Sequence, residues 1–335
     1  MVFDDLRWDQ EKFTEEIRKI DPESQAKLDE LIDLYPEDIN SIADIKLRRI
    51  EWSARYKHSF IDVDPSMVPI KFYAKRLEEK TSSEIRIYPP KSKKSKLHPG
   101  LIFIHGGGMI MGDLDRNDNL CKKLAAKLNV VVASLDYRKA PEFPYPAAVD
   151  DCLNGVNWVF NNAFQIGIDL NNIGIYGNSA GGGLVIATAL KLRDSGSNAL
   201  KYMIPIYPMI DDRNITKSSR EILNFKIWDR AANLQAWKWY LGKLPADQYA
   251  APARAQNLEL LPPCYSDVGE FDLFKDENIL FFQRLKASNV PTQFKVFDGA
   301  FHGSEIIAPE SNLSKEIWNS RYNALSAFIS EAHDS

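Results

Sequence analysis

Four short stretches of this chain hold residue types that together can perform acyl transfer. Gly177-Asn178-Ser179-Ala180-Gly181 sets a serine among small residues. It follows the apolar run Ile173-Gly174-Ile175-Tyr176 and precedes a helix-forming stretch at 184–192. Strand, tight turn, helix is the setting of a nucleophile elbow. The turn tolerates only small neighbours, and it presents Ser179 Oγ at a helix N-terminus, whose dipole favours developing negative charge. His105-Gly106-Gly107-Gly108 ends another apolar run, Leu101-Ile102-Phe103-Ile104. Successive glycines let backbone N–H groups turn toward a substrate oxygen. Two such donors, with the N–H of Ala180, would form an oxyanion hole. No GxGxxG pattern or P-loop lysine accompanies the run, which argues against a phosphate cradle. His105 is expected to be structural, holding the loop by hydrogen bonds.

The base and the acid come later in the chain. The histidines are His58, His98, His105, His302 and His333. A base that follows both nucleophile and acid leaves His302, in Phe301-His302-Gly303, as the candidate. Glu270, Asp272 and Asp276 compete as the acid. Asp272 stands just past the strand candidate ending near Val268, whereas Asp276 already belongs to a helix and is expected to cap or form an ion pair. Asp272 is therefore the expected partner of His302. For the substrate pocket the candidates are Met109, heading Met109-Ile110-Met111 behind the glycines, and Trp237.

Those residues need a scaffold that brings distant segments to one edge. Short apolar runs alternate with helical stretches from residue 101 onward, which predicts a mostly parallel sheet covered by helices on both faces. Before it, Ile70, Phe72 and Ala74 alternate with charged or exposed types, as does 84–88, predicting two half-exposed strands. Lys91 to Lys96 read as a solvated turn. Residues 1–65 carry only helical signals, among them Asp21-Pro22 as a helix start and Leu28, Leu31, Ile32 and Tyr35 on one face. The catalytic domain is expected over 66–335. Residues 211–242 interrupt the rhythm with Trp228, Trp237, Trp239 and Tyr240 and read as a helical insertion over the sheet.

Composition narrows the class. The 335 residues are 44% apolar and 26% charged with a net charge of -4, a globular balance that offers nucleic acid no basic surface. Three dispersed cysteines form neither a disulfide framework nor a metal motif. The N-terminus shows no secretory pattern, and no apolar run approaches the ~20 residues of a membrane span. A cytoplasmic protein is expected, and acyl transfer at a serine, as the motifs suggest, calls for a small-molecule ester and for no metal or organic cofactor.

The combined motifs resemble the hormone-sensitive lipase family of α/β-hydrolases, in its bacterial carboxylesterase branch. The matching stretches are the His-Gly-Gly-Gly loop, Tyr137-Arg138-Lys139-Ala140-Pro141-Glu142-Phe143-Pro144-Tyr145-Pro146-Ala147, the Gly-Asn-Ser-Ala-Gly-Gly elbow, Gly269-Glu270-Phe271-Asp272 with Lys275-Asp276-Glu277, and Phe-His-Gly. The resemblance implies an α/β-hydrolase fold with a helical cap built from the N-terminal segment and the insertion. It also implies that Gly107 and Gly108, with Ala180, donate to the oxyanion, and that residues 138–142 are structural. Two positions depart from the family pattern: Asn178 in the elbow and Leu273, where a proline usually follows the acid. Homodimerisation is expected from the resemblance and from the open sheet edge near residues 292–297. A short-chain serine carboxylesterase is the implied activity. A peptidase or amidase, an acyltransferase and a non-catalytic ligand receptor share the fold and are separated from it by the site.

Overall fold

The computed structural model describes residues 19–55, 67–76, 81–92, 95–221 and 227–334. His58 lies outside them, as do parts of the 91–96 turn and of the insertion. Among the described residues eight strands form one sheet: β1 (Ile70–Lys75), β2 (Ser82–Tyr88), β3 (His98–Ile104), β4 (Val131–Leu135), β5 (Ile168–Asn178), β6 (Tyr202–Ile206), β7 (Cys264–Phe271) and β8 (Thr292–Phe301). Their spatial order is β1-β2-β4-β3-β5-β6-β7-β8. The pairings of β2 with β1 and β4 are antiparallel and the others parallel, so the expected mostly parallel sheet is present. Strands β4 and β6 are buried at every residue, as apolar runs covered on both faces require. β2 is largely buried rather than half-exposed, because it lies between β1 and β4.

The helices are α1 (Pro22–Leu34), α2 (Ile45–Arg55), α3 (Leu114–Leu128), α4 (Ala147–Asn162), α5 (Ala180–Asp194), α6 (Lys217–Glu221), α7 (Arg230–Leu241), α8 (Lys275–Ala287), α9 (Ser304–Ile307) and α10 (Asn312–Asp334). Leu120, Cys121 and Leu124 of α3 pack with Trp318, Tyr322 and Leu325 of α10 in one buried cluster. Val149, Cys152 and Val156 of α4 join α5 and Phe281, Phe282 and Leu285 of α8 in another. In α4 those apolar residues fall three or four apart, one helical stripe. Helix α5 is buried over nearly its whole length, which is why its sequence shows no amphipathic stripe.

Two helical segments sit outside this frame. Asp21 caps α1 by accepting the N–H of Ser24 at 2.9 Å, and Leu28 packs with Phe271 and Phe301 at the ends of β7 and β8. The insertion contributes α6 and α7 between β6 and β7. It meets the N-terminal segment through Arg48, whose Nη1 donates to Gln235 Oε1 at 2.7 Å. Parallel strands β3, β5, β7 and β8 end at Ile104, Asn178, Phe271 and Phe301. Each is followed at once by His105, Ser179, Asp272 or His302. The carboxyl edge of a parallel sheet is where open α/β folds gather their functional groups.

Candidate active site

The elbow is strained in the way its sequence demands. Ser179 adopts φ 56° and ψ -123°, a conformation that costs a non-glycine residue on the order of 1–3 kcal/mol. A Cβ on Gly177 would lie 2.5 Å from the Gly181 carbonyl oxygen, and one on Gly181 would lie 2.2 Å from that of Ile104. The turn is held from outside as well: Ser179 N–H donates to Ile206 O at 2.9 Å.

Three side chains from separate strand ends meet there. Asp272 Oδ2 lies 2.6 Å from His302 Nδ1, and His302 Nε2 lies 3.1 Å from Ser179 Oγ. A carboxylate only accepts, so Nδ1 carries the proton and Nε2 offers its lone pair to the serine hydroxyl. Asp272 is fully buried. Its second oxygen accepts the Phe274 N–H at 2.8 Å. The rival carboxylates are engaged elsewhere. Glu270 Oε2 accepts Gly299 N–H at 3.0 Å. Asp276 Oδ2 accepts Ser218 N–H at 2.7 Å, joining α6 to α8.

Behind the histidine stands a buried charge cluster that the motifs did not reveal. Arg321 of α10 donates to Asp267 at 2.7 and 2.8 Å and to Glu305 at 2.8 Å. Tyr207 O–H donates to Glu305 Oε1 at 2.6 Å. Burial alone would raise the Glu305 carboxyl, but Arg321 and the Tyr207 hydroxyl overcome it and hold the group below its ordinary value. The Tyr207 ring meets the His302 ring edge-on at 4.7 Å and Phe274 does so at 5.2 Å, fixing the imidazole plane. No short motif could expose this cluster. Its members are scattered over β7, the turn after β6, α9 and α10.

The glycine loop faces the same serine. Gly107 and Gly108 have φ 119° and 63°. Gly107 O accepts the N–H groups of Ile110 and Met111, closing the turn. Among the described residues the N–H groups of Gly107, Gly108 and Ala180 have no hydrogen-bond acceptor. His105 has the structural place expected of it. It is fully buried, stacks on Tyr137 at 4.3 Å and donates from Nδ1 to Gly106 O at 2.8 Å. Burial, with Lys139 nearby, pushes its pKa down to about 4, so it stays neutral.

A cavity of about 90 Å³ opens over Ser179 and His302, lined among others by Gly107, Gly108, Trp228 and Ile306. The two pocket candidates from the sequence do not line it. Met109, at φ 62°, turns its side chain into the core beside α5. Trp237 is buried against Tyr240. Met111 and Trp228 line the cavity instead, with Trp52 from α2. Leu273, where the family has proline, is buried in the core. Asn178 lines the cavity beside the serine.

A family model for the alpha/beta hydrolase fold matches residues 101–306. The chain belongs to this family, in its hormone-sensitive-lipase-like branch. Esterase LipI of Mycobacterium tuberculosis is 36% identical over 224 residues, covering 65% of this chain and 69% of that protein. Carboxylesterase NlhH of the same species is 28% identical over 295 residues, 84% of this chain and 89% of that one. Among solved structures, a bacterial heroin esterase superposes with a TM-score of 0.87 at 30% identity, over 94% of this chain and 99% of that one. Among the described residues no helix is long and apolar enough to cross a membrane.

Proposed function

We propose that this carboxylic-ester hydrolase cleaves short-chain acyl esters through a covalent acyl-enzyme, with Ser179 as nucleophile, His302 as general base and Asp272 as its orienting acid. The observation that carries the reading is the hydrogen-bonded line from Asp272 through His302 to Ser179 at the mouth of the cavity. His302 Nε2 takes the Ser179 proton as Oγ attacks the ester carbonyl. The N–H groups of Gly107, Gly108 and Ala180 receive the oxyanion. His302 then protonates the departing alkoxide, and water activated by the same nitrogen releases the acid.

The preference for short acyl chains rests on size. An apolar cavity of ~150 Å³ accommodates benzene, and the space here is about 90 Å³. Trp228 stands against the oxyanion loop: a Cβ on Gly108 would fall 2.2 Å from its indole. Each added methylene gains ~0.8 kcal/mol until that wall is reached and then costs packing strain. On nitrophenyl acetate, butyrate, octanoate and palmitate, kcat/KM should peak near butyrate. A maximum at palmitate with activation at an emulsion surface would overturn the preference, and a peptide amide cleaved faster than any ester would overturn the reaction class.

The N-terminal helices and the insertion act together as the cap in this reading. The protein works in the cytoplasm, where its three buried thiols stay reduced. It pairs with a second copy through β8, the outer strand of the sheet.

A further inference from the structure

Helix α2 carries two consecutive arginines that point in different directions. Arg48 is fully buried. It donates from Nε to Ile42 O and from Nη1 to Gln235 Oε1, both at 2.7 Å, and stacks over Trp239 of α7 at 5.4 Å. Arg49 turns the other way. Its Nε donates to Ile110 O at 2.7 Å and its Nη2 to Ala140 O at 2.9 Å. Glu142 grips the same guanidinium with both oxygens, at 2.8 and 2.7 Å.

Ile110 belongs to the turn that carries Gly107 and Gly108. That turn has positive φ at Gly107, Gly108, Met109 and Gly112. A backbone so rich in glycine-type conformations has little intrinsic preference for one orientation of its N–H groups. Its own hydrogen bonds run from Ile110 and Met111 to Gly107 O, and Ala140 N–H reaches Met109 O at 3.0 Å. Arg49 adds the charged donor. One planar fork holds the turn through Ile110 O and the neighbouring segment through Ala140 O, so the two carbonyls cannot shift independently. A guanidinium suits this task because its donors are rigidly spaced, whereas an ammonium is a point charge.

We propose that Arg49 is a positioning residue for the oxyanion hole: through α2 it sets the direction of the Gly107 and Gly108 N–H groups. The inference rests on the esterase reading above. Misplacing donors by about 1 Å costs on the order of a hundredfold in rate. Arg49 acts on kcat, since the donors matter most where the charge develops.

The test uses the full chain with nitrophenyl butyrate and a trifluoromethyl ketone. Ser179 Oγ adds to the ketone carbon, its proton passes to His302, and the oxyanion of the hemiketal occupies the hole. Arg49→Lys and Arg49→Ala should lower kcat about tenfold to a hundredfold with KM within about threefold. The ketone's inhibition constant should rise by the factor that kcat/KM falls. Ethylguanidinium in the buffer should restore part of the Arg49→Ala rate. Ser53→Ala removes a different bond from α2, to Asp113 Oδ2 at 3.0 Å, and should keep the parental kcat. Arg49→Lys preserves the charge and carries the test if Arg49→Ala does not fold. A parental kcat in Arg49→Lys, or a kcat loss with an unchanged inhibition constant, overturns the proposal while the esterase reading stands. A parent chain with no ester turnover overturns both.

Discussion

The two sides of the cavity are built by different means. The proposed base side, around His302, is held by side chains: a buried carboxylate, two aromatic edges, and behind them an arginine shared by two acids. The proposed oxyanion side is built of backbone and braced by one side chain, Arg49, on the Ile110 carbonyl. It has glycines at positive φ, N–H groups without an acceptor among the described residues, and a carbonyl that receives the Arg49 guanidinium. Side-chain networks in low dielectric are stiff, and removing one member strands the others at high cost. A glycine turn is cheap to build but open to displacement. The base side should therefore fail through lost proton transfer or lost stability, and the oxyanion side through a lower rate in a folded protein.

That contrast can be broken at several points. Asp272→Asn keeps the shape, but its one oxygen stays with the Phe274 N–H and its amide NH2 faces Nδ1, which reverses the imidazole tautomer. It should reduce kcat by about 10⁴-fold with little change in melting temperature, measured by steady-state kinetics and calorimetry. Retention of even a tenth of the rate would break the base-side account. Arg321→Met leaves Asp267 and Glu305 buried without their cation and should destabilise the fold by roughly 3–5 kcal/mol in urea titrations. A loss of less than about 1 kcal/mol would show that the cluster does not stiffen the histidine side.

On the other side, Gly108→Ala meets both the φ of 63° and the indole of Trp228. Disturbing an oxyanion donor costs about 10²–10³ in kcat. Adding Trp228→Ala removes the clash but not the φ penalty, so the double variant should recover only part of the rate. Full recovery would mean that the backbone turn carries no strain of its own.

The smallest effect expected is pH-dependent. Glu277 accepts the N–H groups of Ile210 and Asp211 at 3.0 and 3.2 Å, and burial holds its carboxyl well above the ordinary range. The folded state thus binds this proton more tightly than the unfolded chain. The stability this contributes is full below the ordinary carboxylate pKa and is lost as pH rises toward the folded value. Glu277→Gln keeps an acceptor and removes the titration, so its melting temperature should gain on the parent between about pH 5 and pH 8. A constant difference across that range would contradict the assignment.

How much of this was legible follows from where each signal lies. The placement of Ser179, His302 and the glycine loop at strand ends was readable because its requirements are local: small neighbours in a tight turn and a position at the end of an apolar run. Asp272 needed only its distance from a strand. Met109 and Trp237 misled because pocket lining depends on side-chain direction. Met109 is turned inward by its own positive φ. Trp228 and Trp237 share one insertion, and only its docking decides which of them faces the cavity. Arg49 lies in the N-terminal segment, whose sequence carries only helical signals. Besides Glu142, its partners are carbonyls about 60 and 90 residues away, and a backbone acceptor leaves no mark in a sequence. The Asp267–Glu305–Arg321 cluster escaped notice for a related reason. Its charges lie in three elements with no common spacing, and only burial distinguishes them from surface ions.

The central claim is that Ser179 forms the covalent intermediate. An alkyl fluorophosphonate, followed by digestion and mass spectrometry, tests it most directly. The phosphonyl group should attach to Ser179 alone, in step with loss of esterase activity, and Ser179→Ala should neither label nor turn over ester above about one part in 10⁴ of the parental rate. A label on any other residue, or turnover that survives the substitution, would contradict the account.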